Sequence, residues 1–134
     1  MTRPAYVPPH TLHVCRTCPR YEPAPPPGTA GRGEALARRV KALVRDWPHR
    51  AEVAVLAVNC LGGCRHPCNA AISGPGKLRL RFSRLEAPDA ESLLEAAARH
   101  LASADGDLAD EALPPRLRDR LSARAPAAVP IHGA

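Results

Sequence analysis

Aromatic side chains are almost missing from this chain, with one tryptophan, two tyrosines and one phenylalanine in 134 residues. A core short of rings has to be filled by small aliphatic groups, and much of the 45% hydrophobic fraction is alanine. That composition fits one compact domain with a modest core, to which a bound metal would add stability. The same shortage removes the stacking platforms that base-binding surfaces use. No nucleic-acid partner is therefore expected, despite a formal net charge of +6. All basic residues except Lys41 and Lys77 are arginine, and a surface of that kind can meet an acidic partner protein.

Long apolar runs are missing too. No stretch reaches the roughly 18 residues of a membrane span, and residues 1–9 lack the apolar segment of a secretion signal. The expectation is a soluble, cytoplasmic protein with no membrane partner. Paired carboxylates for acid–base chemistry, a serine–histidine nucleophile pattern and a phosphate-cradling loop are equally lacking. An enzyme is not expected.

What the chain does have is five cysteines in two groups, Cys15 and Cys18, then Cys60, Cys64 and Cys68. In a reducing compartment, paired cysteines serve as metal ligands or redox catalysts more often than as structural disulfides. Their placement follows from the secondary structure. Thr11-Leu12-His13-Val14 is short and partly β-branched, a strand ending at Cys15. The proline-rich stretch 23–33 excludes helix and interior strand. Leu36, Val40, Leu43, Val44 and Trp47 recur at helical spacing from Gly33 until Pro48 stops the helix. Val53 to Val58 is an unbroken apolar run of buried-strand length that leads straight to Cys60.

Ala70 to Ser73 and the alternating Lys77 to Phe82 form a hairpin about Gly74-Pro75-Gly76. A second helix opens near Pro88, with Asp89 and Glu91 beside it and an apolar stripe of Leu94, Ala97, Ala98 and Leu101. Leu117 and Leu121 carry a further short helix, and residues 125–134 look frayed. The chain thus divides into a disordered lead-in (1–9), a domain (10–103) and a partly helical C-terminal extension (104–134).

Strand, helix, strand, hairpin, helix is an α/β order. The first crossover makes its two strands parallel, and the expected product is a four-stranded mixed sheet with helices packed on it, a thioredoxin-like arrangement. Parallel neighbours end at the same sheet edge. Both cysteine groups would then emerge together there and share one metal site. Four thiolates suit zinc or an iron–sulfur cluster. Gly62 and Gly63 allow a tight turn between ligands, and Pro67 stiffens the exit.

Three other readings stand beside this one. Five unligated cysteines would behave as small hydrophobes. A disulfide between the groups lacks the secretion signals that usually accompany one. A redox dithiol at Cys15 and Cys18 would need a helix N-terminus behind the first thiol, where the sequence has Pro19 and a proline-rich loop. His13, His49, His66 and His100 are read as surface residues, with His66 the nearest to the cysteines.

The loop Cys60-Leu61-Gly62-Gly63-Cys64 resembles the second ligand pair of the thioredoxin-like 2Fe-2S ferredoxins, and a similar loop occurs in the related small subunit of bacterial respiratory complex I. The resemblance implies a 2Fe-2S cluster with Cys60 and Cys64 on one iron and Cys15 and Cys18 on the other. It also implies electron transfer or redox sensing, with a redox partner protein. Arg16 and Arg65 would stand near the cluster.

More broadly, His10 to about Leu121 is similar to an uncharacterised bacterial family described as predicted metal-binding proteins. The shared features are Cys15 to Cys18, Cys60 to Cys68 and the Gly74 to Gly76 turn. Some members occur near cobalamin-biosynthesis genes. The first pair is tighter here than in the ferredoxins, and a Cys-x2-Cys pair is also half of a common zinc site. Cys68 is an additional thiol that can replace one of the four. Zinc or cobalt, in a structural or delivery role, is the alternative cargo. Homodimerisation is left open.

Overall fold

The computed structural model describes residues 10–16, 31–59 and 68–126. The elements are β1 (His10–Cys15), α1 (Arg32–Val44), β2 (Val53–Val58), β3 (Ala70–Ser73), β4 (Arg79–Phe82), α2 (Ala90–Ala102) and β5 (Leu121–Ala125). Short 3-10 turns occupy Ala87–Asp89, Asp110–Ala112 and Pro115–Leu117. The strands lie in the order β2-β1-β3-β4-β5. β1 and β2 are parallel, as the crossover requires, and every other pairing is antiparallel.

The pleat sorts the sheet into two faces. Leu12 stands opposite Ile72 and Ile72 opposite Leu80, while Val14 faces Ala70 and Ala70 faces Phe82. All of these are buried, together with Leu36 and Val40 of α1 and Leu93, Ala96 and Ala97 of α2. Both helices therefore cover this face. The other face carries Thr11, His13, Arg79 and Arg81 at intermediate exposure, with a 2.7 Å hydroxyl pair between Thr11 and Ser73.

Four expectations need correction. The sheet has five strands, not four. Leu117 and Leu121 do not share a helix: a 3-10 turn ends at Leu117, and Leu121–Ala125 is a strand on β4, with a register shift between Arg81 and Phe82. Alanine favours helix and Leu117–Leu121 mimics a helical step, but the open edge of β4 offers backbone partners that override such weak preferences.

The buried stripe of α2 is also rotated. It runs through Ala90, Leu93, Leu94, Ala96, Ala97 and His100, leaving Ala98 and Leu101 only partly covered. His100 is thus not a surface residue but fully buried. Residues 104–126 supply Leu108, Leu113 and Leu117 to the common core.

Two polar arrangements hold the ends of α2. At its start, buried Asp89 accepts the Glu86 N–H at 2.7 Å and the Arg116 Nε–H at 2.8 Å, with Arg120 3.5 Å away. One carboxylate thereby joins the helix entry to the chain leading into β5. At the far end, Lys77 donates to the carbonyls of His100 and Leu101 at 2.8 and 2.7 Å, groups left open at a helix C-terminus. His100 Nε2 donates to the Leu78 carbonyl at 2.7 Å. Its Nδ1 is buried with no hydrogen-bond partner among the described residues. The His10 ring stands edge-on at 5.6 Å.

Removing the Asp89 carboxylate strips two donors of their acceptor and Arg120 of an ion-pair partner. Asp89→Ala is expected to lower unfolding stability by about 2–4 kcal/mol, read as a shifted urea midpoint. Burial holds His100 below its ordinary pKa of 6.5, with the nearby Lys77 acting in the same sense and the Leu78 bond opposing. His10 is held down by burial, then by Lys77 and His100. The unfolded chain takes up protons that the fold resists. This part of the stability is therefore present above the unfolded pKa and is lost as pH falls through the folded one. Urea midpoints should drop as pH falls below the ordinary histidine pKa, and less steeply in His100→Gln, whose amide can still donate to Leu78.

Candidate metal centre

The candidate site lies where β1 and β2 end. Their parallel register sets Cys15 beside Val58. Parallel strands lie about 4.8 Å apart, so the two chains leave the sheet side by side. Beyond the last pair, Arg16 N donates to the Val58 carbonyl at 2.8 Å, and Arg16 Nε donates to Asn59 Oδ1 at 3.1 Å. The Cys15 thiol donates to the Asn59 carbonyl at 3.5 Å. In the chain, Cys60 is the next residue after Asn59, one Cα–Cα step of about 3.8 Å.

The third cysteine segment arrives on the other flank of β1. Val14 pairs with Ala70, and the Cys15 N–H donates to the Asn69 carbonyl at 3.0 Å. Asn69 is preceded by Cys68, whose carbonyl accepts the Leu85 N–H at 3.1 Å. Asn69 is itself fully buried, and its Oδ1 accepts the Ser83 hydroxyl at 3.0 Å. β1 therefore carries Cys15 in the middle, with the exit to Cys60 on one side and the entry from Cys68 on the other.

Cys15 and Cys68 are both fully buried within the apolar core. Soft thiols in an apolar shell fit thiolate-bound zinc or iron, and they do not fit the oxygen-seeking ions. Cys18, Cys60 and Cys64 lie outside the described residues, as do Gly62, Gly63, Arg65, His66 and Pro67. Among the described residues, no group of three or more histidine, cysteine or acidic side chains could hold a metal ion. Of the other histidines weighed in the sequence, His13 is half-buried on the open face of the sheet, His49 is tied to the Trp47 ring at 5.4 Å, and His100 lies at the far end of the core. None of the three stands with Cys15 or Cys68 in a ligand cluster.

Sequence reasoning missed Asn59, Asn69 and Ser83. The two asparagines flank the cysteine loop directly, and an asparagine next to a strand end is the usual means of satisfying open backbone groups there. That signal was available. The Ser83 partnership spans a hairpin and had no local trace.

Losing the Asn69 side chain leaves the buried Ser83 hydroxyl without this acceptor. Asn69→Ala is expected to cost about 1–2 kcal/mol of stability. In the metal-free protein it should also speed the reaction of Cys15 and Cys68 with a thiol reagent, followed by peptide mapping.

Among the described residues, no helix is long and apolar enough to cross a membrane. No curated protein matches the chain. A solved structure described as a thioredoxin-like [2Fe-2S] ferredoxin from Aquifex aeolicus is similar, with a TM-score of 0.55 and 13% sequence identity over 88% of this chain and 94% of that one. At that identity the likeness is one of fold, and it places this mixed sheet among thioredoxin-like architectures. Residues 12–127 match the family described as "Protein of unknown function (DUF1636)", and the chain belongs to that family.

Proposed function

We propose that this protein is a metal-binding electron carrier or redox sensor that holds a 2Fe-2S cluster through Cys15, Cys18, Cys60 and Cys64. The observation that carries the reading is the flush ending of β1 and β2, with the Cys15 thiol bonded to the residue that precedes Cys60. In the sequence the two cysteine groups are 45 positions apart, counted from Cys15 to Cys60, yet Cys15 and Asn59, the residue before Cys60, stand at one edge of one sheet. The likeness in fold to a ferredoxin supports the same reading.

When bound, the cluster would exchange single electrons, and the chain's own residues set its surroundings. The core groups around Cys15 and Cys68 exclude water from the sulfurs. Arg16, exposed beside Asn59, contributes positive charge that favours the more negative, reduced state. On this reading the protein is a carrier or sensor and not an enzyme.

Zinc or cobalt is the second reading, favoured by the tight Cys15–Cys18 spacing and by a fifth thiol, Cys68, standing next to the same edge. A structural or metal-delivery role, including one linked to cobalamin, would then follow. A dithiol oxidoreductase is less well supported. Its attacking sulfur should be accessible, and Cys15 is fully buried and donates to a carbonyl.

Protein purified without oxygen should be red-brown and contain about two iron atoms per chain, the content of one such cluster. Cys15→Ser and Cys60→Ser should each bleach the colour, whereas Cys68→Ser should retain it. A colourless protein with one equivalent of zinc would refute the cluster and establish the second reading.

A further inference from the structure

The two outer strands of the sheet are built differently. β5 alternates Leu121, Ala123 and Ala125 with Ser122 and Arg124, meets β4 across a register shift and is followed by Pro126. Such features discourage unwanted pairing. β2, the opposite edge, reads Val-Ala-Val-Leu-Ala-Val, with no charge, no proline and an unbroken register on β1. Among the described residues nothing pairs with its outer side. Leu56 in its middle is 41% exposed, the one large hydrophobic side chain so exposed among the described residues.

Beside this bare edge runs an open groove of about 680 Å³ between β2 and α1. Its floor includes Val40, Val44 and Val55. Its rim carries Arg16, Arg38 and Lys41 against a single carboxylate, Glu34. Glu34 is held by Arg38 at 3.2 Å in a solvent-exposed pair, a contact of little strength that a competing carboxylate can exchange.

We propose that the outer edge of β2 docks an acidic, extended segment of a partner protein. The segment adds to the sheet as a further strand. Because alternate side chains of a strand point to opposite faces, its carboxylates turn toward α1 and meet Arg38 and Lys41 on the groove rim, and its apolar side chains lie beside Leu56 on the other face. Backbone pairing provides attachment at such edges, while the pockets and charges alongside provide selectivity. A second copy of this chain is a poor occupant, because it would bring the same cations to the seam. The groove ends at Arg16, directly after Cys15, so a docked partner lies next to the cysteine edge. The docking does not depend on which metal the cysteines hold.

The test is a titration of the isotope-labelled full chain, followed by backbone amide shifts. The probes are the blocked hexapeptide Val-Glu-Val-Glu-Val-Glu and its lysine counterpart. The glutamate peptide should shift the Val53–Val58 amides saturably and bind at least roughly tenfold more tightly than the lysine peptide. Arg38→Glu combined with Lys41→Glu, both exposed sites, should invert that preference while circular dichroism stays unchanged. Equal response to both peptides would overturn the proposal. So would shifts confined to other elements, or β2 amides that move with protein concentration because a second copy already occupies the edge.

Discussion

The parallel ladder between β1 and β2 is the contact on which the remaining structure depends. A parallel pair cannot be joined by a tight turn, so α1 must cross over between the strands, and its apolar stripe then has the sheet to cover. The same ladder ends flush, with Cys15 opposite Val58. Had the register slipped by one residue, Leu12 and Val14 would have turned away from Val55 and the core. The packing of the helix face therefore fixes the register, and the register fixes where the cysteine segments begin. Stability and site geometry rest on one alignment.

The far side of the molecule is held by longer-range polar contacts. Asp89 draws the segment before β5 onto the start of α2, and Lys77 closes the end of that helix from the β3–β4 hairpin. Arg124 adds a bond to the Leu108 carbonyl and lies 3.2 Å from Asp107. With few large side chains available, these contacts tie the final strand to a core that aliphatic packing alone would hold less firmly.

The parts legible in the sequence were those with strong local patterns. β2 is a pure apolar run, β4 alternates cleanly through Leu80 and Phe82, and α1 shows helical spacing from Leu36 to Val44. Of the candidate site, the flush ending of β1 and β2 was legible as a topological argument, since parallel neighbours end at one edge of a sheet. β5 was not legible, because its alanines prefer helix and only the vacant side of β4 decides otherwise. Nor was the burial of His100, whose place depends on a carbonyl from another element, Leu78. Both misses arise from tertiary partners that outweigh weak local preference.

The asymmetry between the two margins of the sheet limits how the molecule can join others. With one margin blunted by Arg124 and a shifted register and the other bare, an added strand has a single place to go. Even two copies that met through their bare margins would bury both and, among the described residues, leave only the blunted ones outward. Assembly through the sheet ends after one step, so the protein can carry an unguarded strand without growing into fibres.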